Sequence, residues 1–461
     1  MKRFSNREIL KITLPVLVSL LMEQLVGLTD TVYLGHYGDG RTELAASALA
    51  GVFYLVVFML GFGFSVGAQV LIARRNGEGR PTEIGPLFMQ GVLFLLVLAG
   101  VLFALSRLFS EGLFTLLVEQ PAVRRAAVDY LDWRVYGFFF SFVAAMFRAL
   151  YVGTTRTRIL TANSVVMVLT NIVLNYLLIF GRCGFPELGI AGAAIASVAA
   201  EAVSVLFFLA YTRLRFDWRR YSLFRFAGVD FRLLGRILSV SVWIMLQEGM
   251  AFLSWFLFFV CIERLGTEQL AVTNMVRSIG SVVFLFVNAF ASTASSLVSN
   301  LIGEGRSGEV VPLCRRMTLL CFSFVVPLAL LIALFPRLVL GFYSDDAALV
   351  AYGVPSLWVM LSTYVLCVPA FIAQFGVSGT GHTRVTLGIV VAAILFYVAY
   401  TLWLTLGLRA DVALCWTTDH LYYLVTLLLS AAYLRSGRWR RGRRRLRRRR
   451  KIPYICRIRR P

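Results

Sequence analysis

Long apolar runs, separated by short polar segments that are often basic, dominate the pattern of this chain. Each run reaches the roughly 20 residues that an α-helix needs to cross a bilayer. Several runs are longer, which indicates tilted helices that extend beyond the lipid. The pattern predicts an all-α integral membrane protein with twelve transmembrane helices. The predicted spans are 8–35, 45–73, 84–106, 123–151, 159–181, 189–211, 233–261, 268–301, 312–335, 347–377, 385–407 and 410–434.

Composition and charge placement predict how the chain sits in the membrane. The 461 residues are 59% hydrophobic with a mean hydropathy of +0.78, which exceeds what a soluble core requires. The net charge is +22, and Lys and Arg concentrate in the N-terminal lead, in the loops after even-numbered spans and in the tail. Because cytoplasmic segments carry the excess of basic residues, both termini are predicted to be cytoplasmic, in a plasma (inner) membrane. The first apolar run lacks a small-residue cleavage site and is interpreted as a retained span.

An internal repeat divides the chain into two halves. The tetrapeptide Gly-Glu-Gly-Arg at 77–80 recurs at 303–306, and two shorter matches, 44–45 with 270–271 and 157–158 with 383–384, keep the same offset. Because each half holds six spans, the repeat predicts two duplicated six-helix lobes of parallel topology, with binding sites near the middle of the membrane. The predicted units are an N-terminal lobe at 1–211, a cytoplasmic interfacial linker at 212–232, a C-terminal lobe at 233–436 and a basic disordered cytoplasmic tail at 437–461.

The first span carries a carboxylate, Asp30, inside an otherwise apolar helix. An ionisable residue within a membrane helix is costly and normally faces a cavity or a partner. In the fifth span, Asn171 and Asn175 have i, i+4 spacing, so both amides project from one helix face. Two amide oxygens and a carboxylate could bind Na⁺, or the amides could hydrogen-bond a protonated Asp30. A structural alternative stays open, in which Asp30 ends its helix and the amides only join neighbouring helices.

Polar residues in the spans of the second half suggest a substrate cleft. Glu248 and Arg277 enter the membrane from opposite sides and reach comparable depths. Two interpretations stay open for them, an ion pair with each other or contact with a substrate. Asp419 and His420 lie in the last span, where acid and base could likewise neutralise each other. The candidates for a substrate cleft are Glu248, Arg277, Gln24 and Gln247.

The ion site is predicted in the first half only. The repeat aligns Asp30, Asn171 and Asn175 with Phe256, Tyr397 and Thr401 of the second half. None of the latter three is a carboxylate or an amide, so the duplication did not keep the oxygen-rich set.

Two basic segments lie outside the predicted spans. Segment 212–236 interleaves Arg with Phe, Trp and Tyr, a composition that suits the lipid headgroup layer. The tail at 437–461 contains many Arg residues and no acid, so it is predicted to be disordered and attracted to anionic lipid. No motif supports a nucleic-acid partner. The seven cysteines are scattered without a Cys-x-x-Cys pair or a cluster with metal-ligand spacing, so no metal centre is expected, apart from Na⁺ at Asp30, Asn171 and Asn175.

Several local patterns together resemble the multidrug and toxic compound extrusion (MATE) transporters. Residues 30–36, Asp-Thr-Val-Tyr-Leu-Gly-His, followed by Leu-Ala-Ala at 44–46, resemble the first helix and loop of that family. The glycines at 61–67 and the segment 74–77 are similar to its second helix and inner loop. Segments 171–175 and 188–194 are similar to its fifth and sixth helices. The resemblance covers about residues 8–436 and leaves the basic tail unexplained.

The resemblance implies two six-helix lobes forming a V, and secondary antiport of organic cations or other lipophilic molecules against H⁺ or Na⁺. It assigns the ion site to the matching positions Asp30, Asn171 and Asn175, and it matches Glu248 to the family's seventh-helix glutamate. No carboxylate at 369–374 matches the family's tenth-helix acid. A monomer without a cofactor, acting on a small-molecule substrate, is expected. The alternatives are a lipid-linked saccharide flippase of the same superfamily and, less favoured because histidines and paired acids are scarce, a polytopic membrane enzyme.

Overall fold

The computed structural model describes residues 4–38, 40–118, 120–225 and 228–440, and every regular element within those ranges is helical. Each of the two halves contributes six membrane-spanning units. The helices of the first half are α1 Asn6–Gly35, α2 Arg41–Gly77, α3 Ile84–Leu117, α4 Pro121–Arg134, α5 Gly137–Gly153, α6 Arg158–Ile179 and α7 Gly189–Arg215. Those of the second half are α8 Phe231–Glu263, α9 Thr267–Gly303, α10 Val310–Leu334, α11 Pro336–Gly341, α12 Ala347–Gly379, α13 Thr383–Leu402, α14 Val412–Cys415 and α15 Thr417–Ser436.

The twelve-span prediction is confirmed, with one difference in the fourth span. Eleven helical segments of the described chain are long and apolar enough to cross a membrane, and α4 with α5 forms a twelfth that bends by 51°. The sequence pattern predicted a continuous helix at 123–151. The bend falls at 134–137, where a side chain at Gly137 would meet the Glu201 carboxylate at 2.5 Å and the Tyr54 hydroxyl at 2.8 Å. The absent side chain leaves room for a polar cluster inside the lobe.

Polar side chains define where the long helices begin. Ser5 accepts a hydrogen bond from the Glu8 backbone N–H at 3.2 Å, and Glu8 accepts one from the Ser5 backbone N–H at 2.8 Å. This reciprocal pair satisfies two backbone donors that a helix leaves open at its N-terminus. Asp230 caps α8 and Asp346 caps α12 through the same kind of side-chain acceptor. The polar loops therefore fix the ends of helices that apolar composition alone leaves undefined.

Each half has its own packed interior, and the lipid-facing surface is also apolar. The buried cluster of the first half contains large aromatic side chains such as Phe88, Phe147 and Tyr151. The cluster of the second half is centred on α9 and α12, where Phe290 and Ile372 are fully buried. Many large apolar residues stay exposed on the outside of the lobes, as expected for helices whose surroundings are hydrocarbon. The two clusters are the cores of the two predicted lobes.

Much of the contact between the lobes runs along the inner halves of three helices. It is here called the seam and comprises residues 61–77 of α2, 237–245 of α8 and 285–303 of α9. Small residues allow the backbones to approach closely. At Gly63 an added Cβ would lie 2.9 Å from the Cα atom of Met245, and at Gly303 one would lie 2.5 Å from the Arg74 carbonyl oxygen. In the described segments 21–60 and 247–283, the hydrogen bonds stay within one lobe. The lobes therefore join at one end and diverge towards the other, which is a V.

Hydrogen bonds cross the seam in both directions. From α2, Arg74 Nη2 donates to the Thr380 carbonyl oxygen of the second lobe at 2.5 Å. From α9, Asn300 Nδ2 donates to the Gly153 carbonyl oxygen of the first lobe at 3.1 Å. Asn76 Nδ2 also donates to Asn300 Oδ1 at 2.8 Å. Arg74 and Asn300 occupy equivalent positions of the repeat. From each lobe, the residue at this position therefore donates a hydrogen bond to a backbone carbonyl of the other lobe.

The linker and the start of the tail both contact the lobes. Helix α7 continues to Arg215, and the following turn is tied to the first lobe by the Gly85 N–H, which donates to the Tyr221 carbonyl at 2.9 Å. Trp439, assigned by sequence to the disordered tail, is buried against the second lobe and donates to the Leu434 carbonyl at 3.0 Å. The second lobe thus extends at least to residue 440. The remaining tail, 441–461, lies outside the described residues, and its predicted disorder and lipid contact stay predictions.

Candidate functional site

The structure brings the three predicted ion-site residues together within the first lobe. Asp30 lies on α1 and is partly exposed, whereas Asn171 and Asn175 lie on α6 and are fully buried. Asp30 Oδ1 accepts hydrogen bonds from Asn175 Nδ2 at 2.6 Å and from Asn171 Nδ2 at 3.2 Å. The i, i+4 spacing aims both amides at one carboxylate, as predicted.

A hydroxyl that sequence reasoning missed completes this pocket. Ser197 on α7 donates to Asp30 Oδ2 at 2.9 Å and accepts from Asn171 Nδ2 at 3.1 Å. Asn175 Nδ2 also donates to Asn171 Oδ1 at 3.1 Å. The Asn175 Oδ1 atom is buried without a hydrogen-bond partner among the described residues, which is an unusual state for an amide oxygen. Asp30, Asn171, Asn175 and Ser197 are called the Asp30 pocket below.

Next to the Asp30 pocket lies a buried ion pair that the sequence analysis did not assign. Glu201 stands one helical turn after Ser197 on α7, and its Oε1 atom accepts from Arg134 Nη2 on α4 at 2.7 Å. The Arg134 guanidinium lies over the Tyr54 ring, 3.7 Å from its centroid, and the Tyr54 hydroxyl lies 3.3 Å from Glu201. The signal in the sequence was a carboxylate inside the sixth apolar span, of the same kind as Asp30 in the first.

Helix α7 connects this ion pair to the Asp30 pocket. Ser197, which bonds Asp30, and Glu201, which bonds Arg134, are one turn apart on α7. The first lobe therefore holds two carboxylates and one guanidinium in a single polar cluster. Adding a positive ion at Asp30 would change the balance of charge around Arg134.

Near Asp30, Glu23 on α1 is paired and Gln24 is exposed. Arg148 Nη1 on α5 donates to Glu23 Oε1 at 2.9 Å, and the Ser19 hydroxyl donates to the same oxygen at 3.1 Å. Glu23 therefore has an ion-pair partner within the first lobe. Gln24 is exposed, and its role in a substrate cleft stays a prediction.

In the second lobe the structure keeps Glu248 and Arg277 apart. Arg277 lies over the rings of Trp255 and Phe259, 5.5 Å and 5.6 Å from their centroids. The Glu248 carboxylate accepts a long hydrogen bond, 3.5 Å, from Gln247 Nε2. The ion pair left open as an alternative in the sequence analysis does not form in the described chain, because Arg277 projects towards the aromatic residues of α8.

In the last span, His420 has hydrogen-bonding partners in the described chain and Asp419 does not. The His420 ring contacts the hydroxyls of Ser362, at 2.9 Å, and Thr363, at 3.1 Å, on α12. Within the described residues, the Asp419 carboxylate has neither a hydrogen bond nor an ion pair. Acid and base therefore do not neutralise each other here, because consecutive helix positions point in different directions.

Two duplicated six-helix halves with intramembrane carboxylates between their helices define a membrane transporter with parallel repeats. A sequence model of the MatE family matches residues 15–177 and 244–404. A probable multidrug resistance protein NorM of Rhizobium meliloti is 26% identical over 344 residues, 74% of this chain and 72% of that protein. A second one, of Agrobacterium fabrum, is 28% identical over 326 residues, 69% and 68% of the two chains.

Solved structures agree in fold. An outward-facing multidrug resistance MATE transporter of the MOP superfamily superposes with a TM-score of 0.84, at 18% identity, over 94% of this chain and 96% of that one. The eukaryotic MATE transporter AtDTX14 also gives 0.84, at 17% identity, over 96% and 98%. The chain belongs to the MATE family. Its fold is the V-shaped pair of six-helix lobes, and it is an integral membrane protein.

Proposed function

We propose that this protein is a secondary antiporter that exports organic cations or other lipophilic compounds from the cytoplasm in exchange for H⁺ or Na⁺. The relatives named as multidrug resistance proteins support the direction and the broad substrate class. The observation that carries the exchange mechanism is the Asp30 pocket, a partly exposed carboxylate held by buried polar donors. The protein acts in the plasma membrane with both termini in the cytoplasm.

The Asp30 pocket suits reversible loading by a small cation. With Asp30 ionised, three donors stabilise the carboxylate in the arrangement described above. If the Asn171 and Asn175 amides flip, so that oxygen and nitrogen exchange places, they present their oxygens instead, and with Asp30 and Ser197 this gives a set of hard oxygen ligands for Na⁺. A proton on Asp30 would act in a similar way, since a neutral carboxyl donates to an amide oxygen. The unpartnered Asn175 Oδ1 atom supports such a second arrangement.

Loading of this pocket is coupled to export through the shape of the V. A ligand shifts a conformational equilibrium only by binding its two states differently. The lobes are joined at the end that is predicted to be cytoplasmic, so the described state is open to the outside. Binding an ion at Asp30 changes how α1 packs against α6 and α7, which narrows the opening between the lobes and displaces the exported molecule.

Replacing Asp30 with Asn tests the proposal. Inverted membrane vesicles containing the variant should take up a fluorescent organic cation at the background rate under an imposed pH or Na⁺ gradient. The wild type should respond to one of the two gradients, which identifies the coupling ion. Asp129→Asn is the matched control, since it makes the same change at an exposed site of the first lobe. Normal, gradient-dependent uptake by the Asp30 variant would place the coupling site elsewhere.

A further inference from the structure

The carboxylates of the two lobes differ in whether they have hydrogen-bond or ion-pair partners. In the first lobe, Asp30 accepts three hydrogen bonds and Glu201 pairs with Arg134. In the second lobe, Glu248 has only its 3.5 Å contact with Gln247, and the Asp419 carboxylate has no hydrogen-bond or ion-pair partner, among the described residues. An unpaired carboxylate within a membrane-spanning helix is costly, so a ligand that supplies positive charge is the expected partner.

Aromatic rings surround Asp419. It lies partly exposed in the first turn of α15, where a negative charge suits the helix dipole, but its carboxylate accepts no capping hydrogen bond from the described backbone. Tyr422 and Tyr423 follow Asp419 by three and four residues on α15 and share its helix face. Tyr364 and Tyr397 lie on α12 and α13, which pack against α15. The rings of Tyr397 and Tyr422 stand 6.0 Å apart at 79°, and those of Tyr422 and Tyr423 stand 5.2 Å apart at 80°. Neighbouring rings of this group are therefore nearly perpendicular to each other.

These tyrosines come from three helices, and their exposure differs in a way that suits a pocket. Tyr364 on α12 and Tyr397 on α13 are buried at the back of the group. Tyr422 and Tyr423 on α15 are partly exposed, as is Asp419 itself. The group therefore has a buried side, on α12 and α13, and a partly exposed side, on α15.

The internal repeat shows how this group arose from the duplicate of the Asp30 pocket. Tyr397 occupies the position equivalent to Asn171, and Tyr423 the position equivalent to Ser197. The equivalent of Asp30 is an apolar residue of α8, which supplies no carboxylate there, and Asp419 supplies one from α15 instead. The second-lobe group therefore has aromatic rings where the Asp30 pocket has amide and hydroxyl donors, and it still contains a carboxylate. Such chemistry favours a large, weakly hydrated cation over Na⁺.

We propose that Asp419, with Tyr364, Tyr397, Tyr422 and Tyr423, forms a binding site in the second lobe for the positively charged group of an organic cation. The ring faces attract the cation through their quadrupoles, and Asp419 neutralises it. The proposal builds on organic-cation export as the function and assigns the charge-recognising residue, which sequence analysis left unassigned. In this proposal the first lobe binds the coupling ion and the second lobe binds the substrate.

Binding of tetraphenylphosphonium to the purified full chain in nanodiscs tests this site without requiring transport. Scintillation-proximity titration of the radiolabelled cation, with protein-free nanodiscs as the blank, gives the affinity. Asp419→Asn should weaken binding at least about tenfold, the effect of losing one partly desolvated charge contact. Asp345→Asn, the same change on an exposed loop, should leave binding unchanged. Tetraphenylborate, which has the same shape and the opposite charge, should not compete.

A second pair of variants separates the rings from general effects on folding. Tyr422→Phe keeps the ring face and should bind within about threefold of the wild type, whereas Tyr422→Leu should weaken binding about fivefold or more. The comparison of Tyr422→Phe with Tyr422→Leu tests the binding site even if Asp419→Asn is unstable. Unchanged affinity in both Asp419→Asn and Tyr422→Leu, or competition by tetraphenylborate, overturns the site. The proposed site is also overturned if Glu248→Gln abolishes tetraphenylphosphonium binding and Asp419→Asn leaves it unchanged.

Transport is measured separately, so that the two proposals can fail independently. Vesicles could export organic cations under an ion gradient while Asp419→Asn binds tetraphenylphosphonium as tightly as the wild type. In that case the proposed function stands and this site is refuted. If tetraphenylphosphonium binding depends on Asp419 but no gradient drives export, the site stands and antiport is refuted. Absence of wild-type binding in nanodiscs refutes the site whatever the vesicles show.

Discussion

Replacing Gly303 with Ala perturbs the seam that closes one end of the V. Gly303 is the last residue of α9 and faces the end of α2 in the other lobe. An added Cβ would lie 2.5 Å from the Arg74 carbonyl oxygen and 2.8 Å from both the Glu78 nitrogen and the Gly77 carbonyl carbon. All three are backbone atoms, so no side-chain rotation can relieve the contact, and the two helix ends must move apart.

The size of the effect follows from that geometry. Overpacking a close contact by one methyl group costs about 1–3 kcal/mol when the backbone must shift. The gain in helix propensity from Gly to Ala is common to both conformations, since α9 stays helical, and it cancels. The cost therefore falls on the state with the closed seam. A change of about 1–3 kcal/mol shifts the ratio of the two states by about fivefold to 150-fold towards the state in which this end is open.

Distances between spin labels at residues 158 and 308 report this shift, since both positions lie exposed at the seam end, one in each lobe. In a background with the seven cysteines replaced, Gly303→Ala should move the distance distribution to longer values. Gly235→Ala is the matched control, because its added Cβ meets nothing within 4 Å. A distance distribution identical to that of the wild type would show that the seam does not hold this end closed.

Three further results are expected. A reporter fused after Ser436 should read as cytoplasmic, because basic residues concentrate on that side, and an external reading would contradict the predicted topology. Truncation after Arg440 should leave both folding and transport intact, because Trp439, which packs on the lobe, is retained; aggregation in detergent would refute this. His382 tests pH dependence: burial, and then the nearby Arg74, lower the pKa of its imidazole. Because the folded protein binds this proton less readily than the unfolded chain, thermal stability should fall as pH drops below the ordinary histidine value of about 6.5, and His382→Gln should flatten that decline, which melting curves between about pH 7.5 and 5.5 can measure.

Much of the architecture could be predicted from the sequence because it depends on local properties. The length and apolar character of each run determine a membrane span, so the twelve units agree with the structure apart from the bend at 134–137. The constant offset between the matching segments, such as 77–80 and 303–306, indicated the two lobes. The i, i+4 spacing of Asn171 and Asn175 put both amides on one face, and a carboxylate in an apolar helix needed a partner. These inferences concern single helices or the repetition of them.

What only the tertiary structure decided concerns pairs of residues far apart in the chain. Ser197 reaches Asp30 across 167 positions, and Glu201 reaches Arg134 across 67, and helical periodicity does not specify which faces of two separate helices will meet. The same limit explains why Glu248 and Arg277, whose depths suggested an ion pair, are not partners. Depth in the membrane is a one-dimensional property, whereas an ion pair also requires that two helices turn the right faces towards each other. Helix rotation is set by packing against all the neighbours at once, and only the assembled lobes contain that information.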